Sequence, residues 1–321
     1  MLIIPIFVPN AGCPHDCCFC DQKKISGQSA MPTVAEIQKN VDSYSDIVKN
    51  YSKVQIAFFG GSFTAIPRET QITFLEAVSP YIKNGIVDSL RLSTRPDYID
   101  VETLLMLKEY GVETIELGAQ SMDDDVLLCS GRGHTAQDTV KASELIHAYG
   151  FELGLQTMTG LPGASCKSDL YTARRIIELK PKLVRIYPTV VIRDTFLHKM
   201  YENGKYIPPT IEETVDLCAR LMMMYSEKNI KVIRMGLQAT DGISLGEDVV
   251  AGPYHPAFGQ LVKSRIAYEN LLKEAEKQKG NTFTASVPAS ELSDYIGQKR
   301  CNIYKIKERF GYEKVIIKAK N

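Results

Sequence analysis

The 321-residue sequence carries no excess charge, with 38 basic side chains against 38 acidic ones. Whole-chain charge therefore singles out neither a nucleic acid nor an acidic ligand as partner. No apolar run approaches the roughly 18 residues of a membrane span. The start, MLIIPIFVPNAG, lacks a basic segment before its apolar stretch and soon meets prolines. Neither a membrane span nor a secretory signal is expected. No internal repeat or low-complexity tract is present, and 44% apolar with 24% charged residues is ordinary for a globular protein, which argues against disorder. Cysteine is not scarce: there are eight. Disulfide frameworks belong mostly to secreted chains of under about 100 residues, which cannot bury enough core without staples. A cytoplasmic chain with reduced thiols is the expectation, and the spacing of those thiols should carry information.

Short apolar runs alternate with amphipathic stretches. The runs are Leu2–Val8, Val54–Phe59, Ser89–Ser93, Thr114–Leu117, Phe151–Met158, Leu183–Pro188 and Lys231–Leu237. Helical patterns lie between them, as in Ile211–Lys228, where Val215, Leu217, Leu221, Met222 and Tyr225 follow a period near 3.6. Val- and Ile-containing runs that alternate with helices read as parallel strands buried on both faces. Six or seven such units predict an α/β fold, a partial or complete (β/α) barrel, over residues 1–252. A small α+β extension is expected over 253–321, with a helix near 257–279, a strand at 282–287, a basic helix at 299–310 and a last strand at 314–318.

The densest chemical signal follows the first run: Cys13-Pro-His-Asp-Cys17-Cys18-Phe19-Cys20. Cys13, Cys17 and Cys20 form C-x3-C-x2-C with an aromatic residue before the third cysteine. Thiolates this close in one loop can converge on a metal, and soft sulfur ligands favour an iron–sulfur cluster or zinc. Zinc would need a fourth ligand, for which His15, Cys18 or a distant group are candidates. A [4Fe–4S] cluster on three cysteines would leave one iron open.

This motif, in the first βα loop of a barrel-like chain, resembles the radical S-adenosylmethionine superfamily. The resemblance implies that the three cysteines bind a [4Fe–4S] cluster whose open iron chelates the methionine moiety of S-adenosylmethionine. Reductive cleavage then gives a 5′-deoxyadenosyl radical that abstracts a substrate hydrogen. Phe19 would lie near the adenine, and Cys18, at a non-ligand position, reads as a small buried side chain. Phe59-Gly60-Gly61-Ser62-Phe63 resembles the superfamily's Gly-Gly motif, with Ser62 where an acid is usual. Leu92–Asp97, Glu116–Ser121, Ser130–His134 and Gln156–Gly163 resemble the subgroup that holds the Elongator catalytic subunit and anaerobic coproporphyrinogen oxidase. By that resemblance Gly60, Gly61, Ser62, Ser93, Gln120, Arg132 and Gln156 face S-adenosylmethionine. Arg132 would pair with its carboxylate, and Gln156 stands where relatives often place a ribose-binding acid.

Other groups read more plainly. Asp123–Asp125 suits the N-terminal end of a helix, and Met222–Met224 suits helix packing. Arg185, Tyr187, Arg234 and Gln238, near the ends of late strands, are candidates to line a substrate cavity. Arg234 and His255 are the candidates for a catalytic part, His255 with a structural corner role as the alternative.

The string Arg91-Leu92-Ser93-Thr94-Arg95-Pro96-Asp97-Tyr98-Ile99 is most similar to the radical domain of Elongator-type proteins, which modify the wobble uridine of tRNA with acetyl-CoA as group donor. The extension is too short for their acetyltransferase-like domain, and no R-x-x-G-x-G loop is present, so the use of acetyl-CoA does not carry over with the resemblance. Residues 299–321 carry eight basic side chains against Glu308 and Glu313, a net of +6 suited to phosphates. The reading is a radical S-adenosylmethionine enzyme acting on tRNA, with an electron donor such as flavodoxin or ferredoxin as a further partner. The alternatives are an enzyme of the same class acting on a tetrapyrrole, other small molecule or peptide, and a non-catalytic iron–sulfur or zinc module that binds RNA.

Overall fold

The computed structural model describes residues 1–9, 17–21, 30–237 and 245–320. Cys13, His15 and Gln238, singled out above, lie outside them. In chain order the strands are β1 (Leu2–Val8), β2 (Val54–Gly60), β3 (Ser89–Thr94), β4 (Val112–Gln120), β5 (Glu152–Thr159), β6 (Leu183–Pro188), β7 (Val191–Ile192), β8 (Lys231–Met235), β9 (Val249–Ala251), β10 (Thr282–Val287) and β11 (Lys314–Ala319). Seven of them form one all-parallel sheet in the order β1-β2-β3-β4-β5-β6-β8. Neighbours in sequence are neighbours in space, the winding of a (β/α) barrel. β1 and β8 do not pair among the described residues, so the barrel is partial.

The crossovers carry α1 (Val34–Asp42), α2 (Ser45–Val48), α3 (Arg68–Lys83), α4 (Val101–Glu109), α5 (Asp124–Cys129), α6 (Ala136–Ala148), α7 (Cys166–Glu178), α8 (Phe196–Glu202) and α9 (Ile211–Glu227). Several loops end on a residue whose side chain starts the next helix. Thr33, Thr135, Ser165 and Thr210 each open a capping box, satisfying amide groups that the first turn leaves orphaned. Asp123 caps α5 by accepting from the Asp125 amide at 3.1 Å, so the acidic run does sit at a helix start. No helix among the described residues is long and apolar enough to cross a membrane.

Both strand faces are buried, as the sequence suggested, but only one is apolar. Ile4, Ile6, Val8, Ile56, Phe58, Leu90, Leu92, Ile115, Leu117, Leu153, Leu155, Val184 and Ile186 join the main core with the surrounding helices. The residues that alternate with them include Gln55, Arg91, Glu116, Gln156 and Arg185, and period-2 alternation puts these on the concave face.

After β9 the chain forms α10 (Phe258–Ala275), β10, α11 (Leu292–Ile296), α12 (Cys301–Phe310) and β11, with β10 and β11 parallel. Leu271, Ala275, Phe283, Ala285, Ile306 and Tyr312 make a second core, whereas Phe258 and Val262, on the same helix as Leu271, belong to the first. The basic helix begins at Cys301 rather than at Lys299. Lys299 (φ 50°) and Arg300 (φ 62°) are left-handed, which helical backbone does not allow.

Candidate cofactor and metal site

The C-terminal ends of parallel strands leave free amide and carbonyl groups around one mouth, and barrel folds place their sites there. Most of the predicted residues collect at that end. Cys17, Phe19 and Cys20 follow β1, Gly60 ends β2 with Gly61 and Ser62 just beyond it, Ser93 lies near the end of β3, and Gln120 ends β4. Arg132 lies between α5 and α6, while Gln156 is inside β5.

The cysteine loop is held by backbone bonds on several sides. The Cys20 amide donates to the Cys17 carbonyl at 3.0 Å, closing a turn that carries both sulfurs. The Cys18 amide donates to the Ser130 carbonyl at 3.0 Å, and the Leu197 amide donates to the Cys18 carbonyl at 2.7 Å. Cys18 itself packs with Val191, Leu197 and Tyr206, and Phe19 lies against the same cluster. Burial pushes the Cys18 thiol up to about 12, with the neighbouring Cys17 adding to the rise.

Arg132 ties this loop to the end of β4. Its Nη1 donates to the Cys17 sulfur at 3.4 Å and its Nη2 donates to the Gly118 carbonyl at 2.7 Å. Gly118 leaves the room: a Cβ there would come within 2.8 Å of Arg132 Nη2 and 3.0 Å of Gln120 Nε2. Two residues on, Gln120 has a left-handed backbone (φ 64°), which costs a non-glycine residue about 1 kcal/mol. Gln120 Oε1 and Arg132 Nε are buried without a partner among the described residues. Buried polar atoms of this kind are rare in folded chains and point to a missing ligand or water.

Behind Arg132 lies His134, its Nε2 at 3.2 Å from the Ala119 carbonyl and 5% exposed. Burial, reinforced by the positive Arg132 and Arg95, pushes its pKa down to about 3. The ring is therefore neutral and donates from Nε2 to the carbonyl. Arg95, itself 1% exposed, is held by a two-point contact to Asp97 at 2.9 Å on each arm.

The glycine pair has a structural requirement of its own. Gly60 has φ +106°, and a Cβ on it would stand 2.5 Å from the Val8 carbonyl oxygen. The Gly61 amide donates to that same oxygen at 2.7 Å. Gly60 is thus demanded by the approach of β1 to β2, whatever is bound above it. Ser62 is buried at 4% exposure just after the pair.

Ser93 and Gln156 meet directly, Gln156 Nε2 donating to Ser93 Oγ at 3.1 Å. The same nitrogen reaches Glu116 at 3.2 Å, a residue to which the sequence motifs assign no role. Glu116 is fully buried and bonded to Arg91 and Arg185. The signal was available, because charged residues at alternate positions of otherwise apolar strands mark a polar concave face. Arg185 also lies over the Phe59 ring, 4.8 Å from its centroid. Arg234 stands on β8 in register with Arg185. His255 Nδ1 accepts from the Ala257 amide at 3.0 Å, next to the start of α10.

Comparison with known proteins gives two family matches, "Radical SAM superfamily" over residues 7–176 and "Radical_SAM C-terminal domain" over residues 181–268. A tRNA uridine(34) acetyltransferase of Methanocaldococcus jannaschii is 29% identical over 186 residues, 52% of this chain and 34% of that protein. Elongator complex protein 3 of Homo sapiens is 26% identical over 209 residues, 59% of this chain and 38% of that one. The chain thus spans little more than a third of either relative's length. Among solved structures, the archaeal Methanocaldococcus infernus Elp3 with an N-terminal deletion superposes with a TM-score of 0.67 at 22% identity, covering 84% of this chain and 63% of that one. It shares the fold.

Proposed function

Because the chain belongs to the radical S-adenosylmethionine superfamily, we propose that it modifies a uridine of tRNA by radical chemistry begun at its strand-end site. It is an enzyme of that class, whose cofactors are a [4Fe–4S] cluster and S-adenosylmethionine. When bound and reduced, that pair supplies a 5′-deoxyadenosyl radical able to take a hydrogen from a substrate.

The residues present fit the pair. Cys17 and Cys20 are soft donors on one closed turn, and Cys13 is proposed as the third ligand. The observation that carries the reading is Arg132, which bridges the Cys17 sulfur and the Gly118 carbonyl beside the unpartnered Gln120 Oε1. A guanidinium there stabilises a thiolate ligand electrostatically, and its unpartnered Nε has a donor left for an anionic group. The chain's own work is to hold the cysteine loop, place Arg132 beside a neutral His134, and enclose the ligand between the ends of β2 and β5. Phe19, Gly61, Ser62 and Ser93 are proposed contacts of that ligand.

Two observations support tRNA as the substrate. Relatives named as tRNA uridine(34) acetyltransferases share the matched region. Lys299, Arg300, Lys305, Lys307, Arg309, Lys314, Lys318 and Lys320 are all exposed on the C-terminal unit, where they can neutralise phosphates. A one-electron donor such as flavodoxin or ferredoxin, and a cytoplasmic setting, complete the proposal. The test is anaerobic reconstitution followed by dithionite and S-adenosylmethionine, with 5′-deoxyadenosine as the expected product. A chain loaded with about four irons that forms none would refute the enzymatic reading. Nucleoside mass spectrometry of tRNA from a deletion strain tests the substrate; an unchanged uridine profile would remove tRNA.

A further inference from the structure

Glu116 is filled to capacity. Its Oε1 accepts from Arg91 Nη1 at 3.0 Å and Arg185 Nη2 at 2.9 Å, and its Oε2 accepts from Arg185 Nε at 2.5 Å and Gln156 Nε2 at 3.2 Å. A carboxylate offers about four lone-pair directions and no hydrogen. All four are used, and the group facing Glu116 from Gln156 must be the NH2 end of the amide. Its second hydrogen goes to Ser93 Oγ at 3.1 Å. Both donors of Gln156 are thereby spent, leaving Oε1, which has no partner among the described residues. Gln156 is half-buried, so this oxygen is open to the concave face.

The neighbourhood is built for this arrangement. Arg91 is itself anchored, its Nε and Nη2 donating to Gln55 Oε1 at 3.1 and 2.8 Å. Gly154, opposite Glu116 on β5, makes room, since a Cβ there would stand 2.8 Å from Glu116 Cγ. The two guanidinium groups and one carboxylate sum to +1 in a buried setting, which repels an ammonium. A ligand group that donates to Gln156 Oε1 is therefore a neutral donor, and on S-adenosylmethionine the ribose hydroxyls are such donors.

We propose that Glu116 is a positioning residue that fixes the Gln156 amide as an acceptor-only reader of a ligand hydroxyl. The inference rests on the cofactor reading above, under which the hydroxyl belongs to the ribose of S-adenosylmethionine. Glu116 then sets a preference for ribose over deoxyribose without touching the ligand.

The test measures binding without turnover. Full-length chain with its cluster reconstituted is equilibrated anaerobically, without reductant, with S-adenosylmethionine or with its 2′-deoxy and 3′-deoxy analogues. The expected wild-type preference for the ribose form over at least one analogue is about fivefold, the usual size of one hydrogen bond. Gln156→Met keeps the shape, removes the acceptor and should bring the ratio to about one. Glu116→Gln frees the amide to flip and should lower the ratio below about twofold. If Glu116→Gln does not fold, Gln156→Met carries the test. An equal wild-type affinity for all three ligands overturns the proposal. So does a wild-type ratio in Glu116→Gln or in Gln156→Met. If the loaded wild-type chain binds none of the ligands, the cofactor reading falls and takes this inference with it.

Discussion

Two buried titratable groups should cancel each other's effect on stability between about pH 5 and 7. His134 is held neutral, its pKa pushed from 6.5 down to about 3 by burial and by the nearby Arg132 and Arg95. In the unfolded chain it protonates below 6.5, so its contribution is complete above that pH and is lost as pH falls towards 3. Asp169, on α7, runs the other way. Burial raises its carboxyl from 3.8 to about 7, opposed only by the Gly160 amide that donates to it at 3.1 Å. The folded state then holds a proton that the unfolded chain has released, so its contribution is complete below 3.8 and is lost as pH rises to 7. Each pH unit inside a window is worth about 1.4 kcal/mol. From pH 5 to 7, His134 adds about 2 kcal/mol and Asp169 removes about 2 kcal/mol. Urea unfolding at both pH values should therefore give nearly equal stabilities for the wild type. Asp169→Asn should gain about 2 kcal/mol of stability over that rise, and His134→Gln should lose about as much. Variants whose pH dependence runs parallel to the wild type would refute the opposed-titration argument.

The remaining predictions concern the site and the surface. Cys17→Ala should bind fewer than about one iron per chain after reconstitution, against about four in the parent, and Cys18→Ala should keep full loading; iron analysis decides both. Gly60→Ala should lose about 3 kcal/mol in chemical unfolding, from its positive φ and the clash with the Val8 carbonyl; an unchanged midpoint would mean that the β1–β2 approach is soft. Removing residues 299–321 to test RNA binding would also remove Ile306 and Tyr312 from the second core. Exposed charges are the cleaner target. Lys299→Gln, Arg300→Gln and Lys307→Gln together should lower the salt slope of tRNA binding by about one unit each, as read by filter binding across a salt series.

The sheet was legible because its strands announce themselves by apolar runs with Val and Ile, and β1 and β6 fall at the residues expected from sequence. Caps such as Thr33 and Thr210 fixed helix starts for a local reason that sequence carries. What sequence hid was the pairing of isolated charges. Arg91, Glu116 and Arg185 come from three strands and meet only once the sheet curls. The short β7–β9 pair was missed because two- and three-residue strands have no period to detect. Lys299 and Arg300 looked like part of a basic helix because side-chain charge says nothing about a left-handed backbone. At the site, the position of Arg132 near the cysteines came from resemblance, and its grip on both Cys17 and Gly118 came only from geometry.

One helix serves two interiors. Phe258 and Val262 near its start are buried with the barrel strands, while Leu271 and Ala275, about three to five turns later, are buried with β10 and the Ile306 helix. The C-terminal unit is therefore fastened to the catalytic sheet by a continuous rod, without a hinge of loop residues between them. At its barrel end the rod is tightly seated: a Cβ added at Gly236, just after β8, would stand 3.0 Å from Phe258 Cβ. Reorienting the basic surface against the strand-end mouth would therefore mean unpacking one of the two cores that this helix joins.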